Sequence, residues 1–489
     1  MKRIGTASIF AASVAAFALP AAALTMIHYL KTAPVLKISV DRFTNPSSQH
    51  ATEVEPSIYS NGNTIVALAQ EGRFYDGGAS DITFSTSTDG GASWKYGELP
   101  GITNIQNPKN VWDRVSDPVI TYDVKHGVWL AATLPLADTT GQLPLVSSST
   151  DGLHWNDPVE IGQNNGDFMD KEWIVCDNGS SSKYLGNCYM EWDDNSQGDL
   201  IMMSTSKDGG KTWSAGQTVG SPSGDAYGLG GQPVVQPNGT VVVPYYPEGY
   251  TINAFSSTNG GGSWGNDVTV GAQNDHQPAG GLRDLPLPSA RVDDGGTVYV
   301  VWSDCSFRTG CGENDIVLST STDGVHWSAV SRVPIDPVSS SVDHFIPGIA
   351  VEPGTEGSSA HLGLAYYYYP NTNCSSSACA LTLGYIASSN GGSTWSSPVQ
   401  LGDPANLAWL ASTDQGVMVG DYIASVFTSQ GVHVAAAAAK KPGKKFDEFM
   451  ITNKTVLKDD PREQFSSRGE RPLPGAHSDH PPHRYPPGD

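Results

Sequence analysis

The stretch Ser85-Thr86-Ser87-Thr88-Asp89-Gly90-Gly91-Ala92-Ser93-Trp94 returns five more times, in copies that end at Trp155, Trp213, Trp264, Trp327 and Trp395. Each copy reads S-x-D-G-x-x-W with small variations, and Asn259 and Asn390 stand in for the Asp. An apolar, alternating strand runs into Asp-Gly or Asn-Gly, which supplies the positive φ angles of a tight hairpin, while the Asp and Ser oxygens cap the turn's own N–H groups. The Trp then covers the turn. Copies recurring every 51 to 67 residues point to one continuous repeat array rather than to separate domains.

Each repeat has the same grammar: a strand beginning near a Pro, a Gly-containing turn, a second apolar strand, a variable loop, a third strand, the turn motif, and a fourth strand after the Trp. Unit openings fall at Glu55, Asp117, Lys171, Gln232, Pro288, Ile346 and Gly420, seven openings against six turn motifs. The seventh unit has candidate second and third strands at 432–437 and 449–455 but no fourth. The orphan strand Val35–Val40 near the N-terminus fits that vacancy and would protect open sheet edges. Residues 35–457 divided by seven give roughly 60 per unit, the observed interval, whereas six units would need roughly 70. The expected fold is therefore an all-β, seven-bladed β-propeller closed by an N-terminal strand in its last blade, with six blades as the runner-up.

The flanks differ in kind. Lys2 and Arg3 precede an apolar run from Ile4 to Leu19 that ends in Pro20-Ala21-Ala22-Ala23, the pattern of a secretory signal peptide over 1–23. Residues 458–489 are rich in Pro, His and charge and poor in apolar residues, which predicts a disordered tail. Six cysteines fall as near neighbours, Cys176 with Cys188, Cys305 with Cys311 and Cys374 with Cys379, so three local disulfides are expected, with zinc as the alternative. A net charge of −22 argues against nucleic acid and against anionic membrane surfaces as partners. The expected product is secreted, free of the membrane once the leader is removed, monomeric, and without cofactor or metal.

The turn motif resembles the Asp-box (BNR repeat) of sialidases and related β-propellers, where it closes the hairpin between the third and fourth strands of a blade. Its role there is structural. Chemistry is instead expected at the opposite end of the array, where the loops between second and third strands and between blades surround the mouth of a central channel. On that end lie Arg73, Arg114, Arg283 and Arg308, contributed by four units of an acidic chain, a concentration suited to an anionic group. The segment from Ile65 to Trp94 resembles the first blade of sialidases beyond the box itself. That resemblance implies Arg73 as a substrate-binding arginine, Asp76 as the acid/base group, Tyr422 in GDYIASVF as the nucleophile and Glu248 as its partner.

One departure stands out: the family's first blade opens with an Arg-Ile-Pro element, and this chain has Glu53-Val54-Glu55-Pro56. A carboxylate there would repel a sialate. A carboxylate pair is therefore the alternative chemistry, with Glu55, Asp117, Asp170, Glu172 and Asp421 near the starts of the inner strands. The expected function is a secreted sialidase-like glycoside hydrolase acting from the end of an anionic glycan; the alternative is a non-catalytic propeller that binds glycans or proteins at the cell surface. Gly261–Gly265 matches G-x-S-x-G but belongs to a turn motif, without the strand-to-helix setting that gives the pattern meaning. One or two of Tyr366–Tyr369 are expected to reach solvent and, with Trp409, to stack on a sugar.

Overall fold

The computed structural model describes residues 31–162 and 168–457, and the backbone of 465–466. The expected leader and most of the expected tail lie outside the described residues. Within that tail, Phe465–Ser466 pair antiparallel with Thr394–Trp395 at the sixth box. The fold is all-β: helix among the described residues amounts to five three-residue 3-10 turns.

Seven antiparallel four-stranded meanders carry the chain, and their first strands are Glu53–Asn61, Arg114–Asp123, Met169–Cys176, Val234–Val235, Ser289–Val292, Asp343–Val351 and Ala424–Thr428. Each first strand lies against the first strand of the next meander, and the seventh returns to the first. The seventh takes its fourth strand from the N-terminus, where Val35, Leu36 and Lys37 pair with Asn453, Thr452 and Ile451, and the Ile38 amide donates to the Met450 carbonyl. Just upstream, Thr32–Ala33 run parallel to Gln400 and Leu401 of the sixth meander, so one short segment ties the last two meanders together.

The apolar side chains explain this arrangement. In a strand, successive residues face opposite sides, and here both sides are apolar. Ile65, Ala67 and Ala69 pack against the seventh meander, whereas Val66 and Leu68 pack against the second. The same division recurs around the array, giving an apolar cluster between each neighbouring pair of meanders instead of one common core. The tyrosine run follows this rule and corrects the expectation for it. Tyr366 and Tyr368 face the fifth meander, Tyr367 and Tyr369 face the seventh, and all four are buried.

The boxes do more than close hairpins. In the third box the Asp208 carboxylate accepts from the Lys211 and Thr212 amides at 3.1 and 3.0 Å, and the Gly210 amide donates to Ser206 Oγ at 3.0 Å. Asparagine serves equally well in the sixth box: Asn390 Oδ1 accepts from the Thr394 amide and its Nδ2 donates to Thr394 Oγ1, both at 2.8 Å. Box glycines also press on the preceding meander. A Cβ on Gly210 would lie 2.7 Å from Leu130, and one on Gly91 would lie 2.3 Å from His433 of the seventh meander. The three cysteine pairs are disulfides as expected, Cys176–Cys188, Cys305–Cys311 and Cys374–Cys379.

Gly210 combines φ 78° with that contact, so Gly210→Ala introduces both backbone strain and overpacking. The expected loss is about 1–3 kcal/mol, read as a lower urea midpoint with an unchanged m-value.

Candidate functional site

Opposite the boxes, the beginnings of the first strands converge on the axis. The register of the first, second, third and sixth meanders slips there by a bulge, and each bulge holds a non-glycine residue at positive φ: Glu55 (54°), Asp117 (48°), Lys171 (51°) and Ile346 (48°). Such backbone costs of order 1–3 kcal/mol per residue and re-aims the side chain. Here it brings three charged groups to one point. Lys171 Nζ bonds Asp421 and lies 3.6 Å from Asp117 and 4.0 Å from Glu55. Arg283 grips the same Asp421 with Nε at 2.8 Å and with its terminal nitrogen, and Gln70 donates to Glu55.

The protonation states in this cluster diverge. Burial works to raise the Asp421 carboxyl, but the Arg283 and Lys171 charges and hydrogen bonds outweigh it, so Asp421 stays well below the usual carboxylate range. At Glu55 burial and the neighbouring Asp117 charge outweigh the same two cations and push it up to about 8. Glu172 is pushed well up by burial and by Asp117, and its carboxylate oxygens have no hydrogen-bond partner beyond its own residue. Asp117 likewise has no hydrogen bond to either oxygen. Asp117, Lys171, Glu172 and Tyr422 border a cavity of about 20 Å³ on the axis, room for roughly one water.

Tyr422 therefore sits among carboxylates. Its hydroxyl donates to the Pro118 carbonyl at 3.3 Å and its ring meets Trp173 edge-on at 5.1 Å. Burial and the charges of Glu55, Asp117, Glu172 and Asp421 raise its pKa well above the usual value. Glu248 lies beyond the Val241–Tyr245 strand at φ 51° and is not among these neighbours.

The four arginines do not form one clamp. Only Arg283 belongs to the axial cluster. Arg114 bridges Asp76 at 2.6 Å and Asp138 at 3.2 Å and lies 4.2 Å over the Phe74 ring, while Arg73 donates to Gln70 and to the Gly78 carbonyl. Slight burial works to raise Asp76, but Arg114 outweighs it and leaves the carboxyl below its usual value. Asp76 is thus ionised, the opposite state from a proton donor. Arg308 and Arg332 are fully buried with Asp315 and Asp336, and Arg308 also holds the Pro337 and Ser340 carbonyls. Asp315, Asp336 and His344 are close enough together to hold a metal ion, but the two guanidiniums already compensate those carboxylates.

Sequence reading placed Glu55, Asp117, Asp170, Glu172 and Asp421 near the starts of the inner strands but missed Lys171 as a counter-charge and Asp421 as the partner of Arg283. A signal was present. Aligned openings read Glu55-Pro56, Asp117-Pro118, Lys171-Glu172, Gln232-Pro233, Leu287-Pro288, Ile346-Pro347 and Asp421-Tyr422, one column whose side chains gather at the centre.

Six boxes, seven meanders and this axial column define an all-β repeat protein. Residues 184–346 match the BNR repeat-like domain. No curated protein matches it. Among solved structures, an ulvan lyase of polysaccharide lyase family PL25 is 11% identical with a TM-score of 0.50, over 86% of this chain and 96% of that one. NanB sialidase from Streptococcus pneumoniae, as its K499G mutant, is 14% identical with a TM-score of 0.40, over 86% and 70%. A protein of unknown function from Dyadobacter fermentans is 14% identical with a TM-score of 0.42, over 69% and 94%. At such identities the likeness is one of fold.

Two stability predictions follow from the charges. Asp421→Asn leaves Arg283 and Lys171 buried without their shared counter-ion and is expected to cost about 3–5 kcal/mol, measured by chemical denaturation at pH 7. The second concerns Glu53, which burial raises from 4.5 to about 8. A folded pKa above the unfolded one means stability that is fully present below pH 4.5 and is lost as pH rises through 8. Glu53→Gln should flatten that decline in a pH series of unfolding midpoints.

Proposed function

We propose that this protein is an exported, glycan-acting β-propeller of seven blades, and that the axial carboxylates carry out glycoside hydrolysis. The observation that carries this reading is that Glu172 and Asp117 border one axial cavity, where burial and the neighbouring Asp117 charge push the Glu172 carboxyl well up. Environments that drive a pair of carboxyls apart assign acid and base roles. Glu172 would protonate the glycosidic oxygen as it leaves. Asp117, whose oxygens are free of hydrogen bonds and face Lys171, would attack the anomeric carbon or activate a water. Arg283, Asp421 and Lys171 then act as the frame that positions them. Export is supported by three disulfides, which form in oxidising compartments, and by the pattern of residues 1–23. No helix among the described residues is long and apolar enough to cross a membrane.

The exo-sialidase form of this reading, with Asp76, Tyr422 and Glu248 as catalytic groups, asks for guanidiniums free to hold a substrate carboxylate. Arg73, Arg114, Arg283 and Arg308 are each already engaged with protein oxygens. A carboxylate pair acting on a glycan is therefore preferred over an arginine-clamped sialate. A second reading, glycan binding without turnover, is favoured by the size of the axial cavity, about 20 Å³. A bound sugar would then meet the rim, where Tyr75 is exposed and Arg114 lies beside Asp76.

The test is release of reducing ends from a panel of neutral and anionic glycans and of aglycone from a fluorogenic α-sialoside. Glu172→Gln and Asp117→Asn are each expected to lower turnover by about 10²–10⁴-fold with the fold retained by circular dichroism. Binding on a glycan array with no turnover of any substrate by the wild type would establish the second reading instead.

A further inference from the structure

The box end of the axis holds a second and larger cavity, about 420 Å³, within the size range of small-molecule sites. All seven meanders contribute to its wall through the later parts of their first strands and the turns beyond. One cation lines it, Arg291, in a chain of net charge −22. Its described contact is a hydrogen bond from one terminal nitrogen to the Ala290 carbonyl at 2.8 Å, and it forms no ion pair among the described residues. Two carboxylates share the wall: Asp293 accepts from the Thr297 and Gly357 amides, both at 2.7 Å, and from Tyr299, and Asp294 accepts from the Gly354 amide at 3.0 Å. Burial without a counter-charge lowers the Arg291 pKa, opposed only by Tyr59.

Thr121 and Ser425 belong to the same wall. Thr121 and Ser425 are at most 1% exposed, and neither hydroxyl has a hydrogen-bond partner. The Tyr59 oxygen accepts from Asn178 at 3.4 Å, which leaves its proton to donate. A partly buried guanidinium with no ion pair among the described residues, in one wall with unpartnered hydroxyls, is half of a charge-assisted hydrogen-bond set. We infer that this cavity binds an oxyanion, a carboxylate or sulfate group on a molecule up to about the size of one sugar, with Arg291 as its counter-charge and Tyr59, Thr121 and Ser425 as donors. The site is separate from the axial carboxylates, so it stands whether or not they catalyse.

Calorimetric titration of the full chain with sodium sulfate and with sodium glucuronate, at constant ionic strength, tests the site. Saturable binding of either anion is expected. Sulfate alone would mean that the anionic group suffices; glucuronate alone would mean that the sugar body is needed as well. Arg291→Met should weaken binding at least about tenfold, and Tyr59→Phe, which keeps the charge, should weaken it several-fold. Without added anion, Arg291→Met should melt above the wild type, since it removes a partly buried charge that forms no ion pair among the described residues. Absence of binding by the wild type would overturn the inference, as would equal responses of wild type and Arg291→Met, which mark a general salt effect.

Discussion

A four-stranded sheet that is apolar on both faces cannot stand alone in water. Each meander here must bury one side against its predecessor and the other against its successor, and a row of such sheets has two uncovered faces until its ends meet. The cluster of Ile38, Ile58, Ile65, Ala67, Ala69, Ala424, Ala435 and Met450 is where they meet, joining the first meander, the seventh and the N-terminal segment. From that requirement the rest follows. Box glycines are small because the preceding sheet lies against them, and Tyr366–Tyr369 are buried because their strand has neighbours on both sides.

Bringing seven strand beginnings together has an electrostatic consequence. The column that meets at the axis contains Glu55, Asp117, Lys171 and Asp421, and Arg283 reaches in from a loop. Two cations cannot neutralise all the carboxylates, so charge divides unequally. Asp421 takes both cations, while burial pushes the Glu55 and Glu172 carboxyls up. Left-handed backbone at three of these residues is part of the same arrangement, since an ordinary strand would send their side chains between the sheets. The box end of the axis is different: there a single guanidinium shares a wall with hydroxyls and with two aspartates that accept from backbone amides.

Much of the fold was legible because its determinants are local and repeated. The boxes and the unit openings are short repeated patterns, the paired cysteines are 5 to 12 residues apart, and the vacancy in the last unit pointed to Val35–Val40. Side-chain pairing across the axis was not legible in the same way. Arg283 and Asp421 are 138 residues apart, and nothing near either one announces the other. Arg308 illustrates the difficulty, since its loop is on the expected end of the array, yet Asp315 and Asp336 draw it inward. Asp76 was selected by resemblance to a first-blade loop, and the adjacent Arg114 gives it the protonation state of a base. A pattern reports which end of a strand a residue occupies, while its neighbours' charges decide what it does there.

The central claim is that one axial carboxyl is neutral at the pH at which another is ionised. Infrared difference spectroscopy of wild type against Glu172→Gln at neutral pH reads this directly. The account predicts loss of a protonated carboxylic acid C=O band, with the ionised carboxylate bands unchanged. Loss of ionised carboxylate bands instead would show Glu172 charged at rest and would remove the acid from the proposed pair.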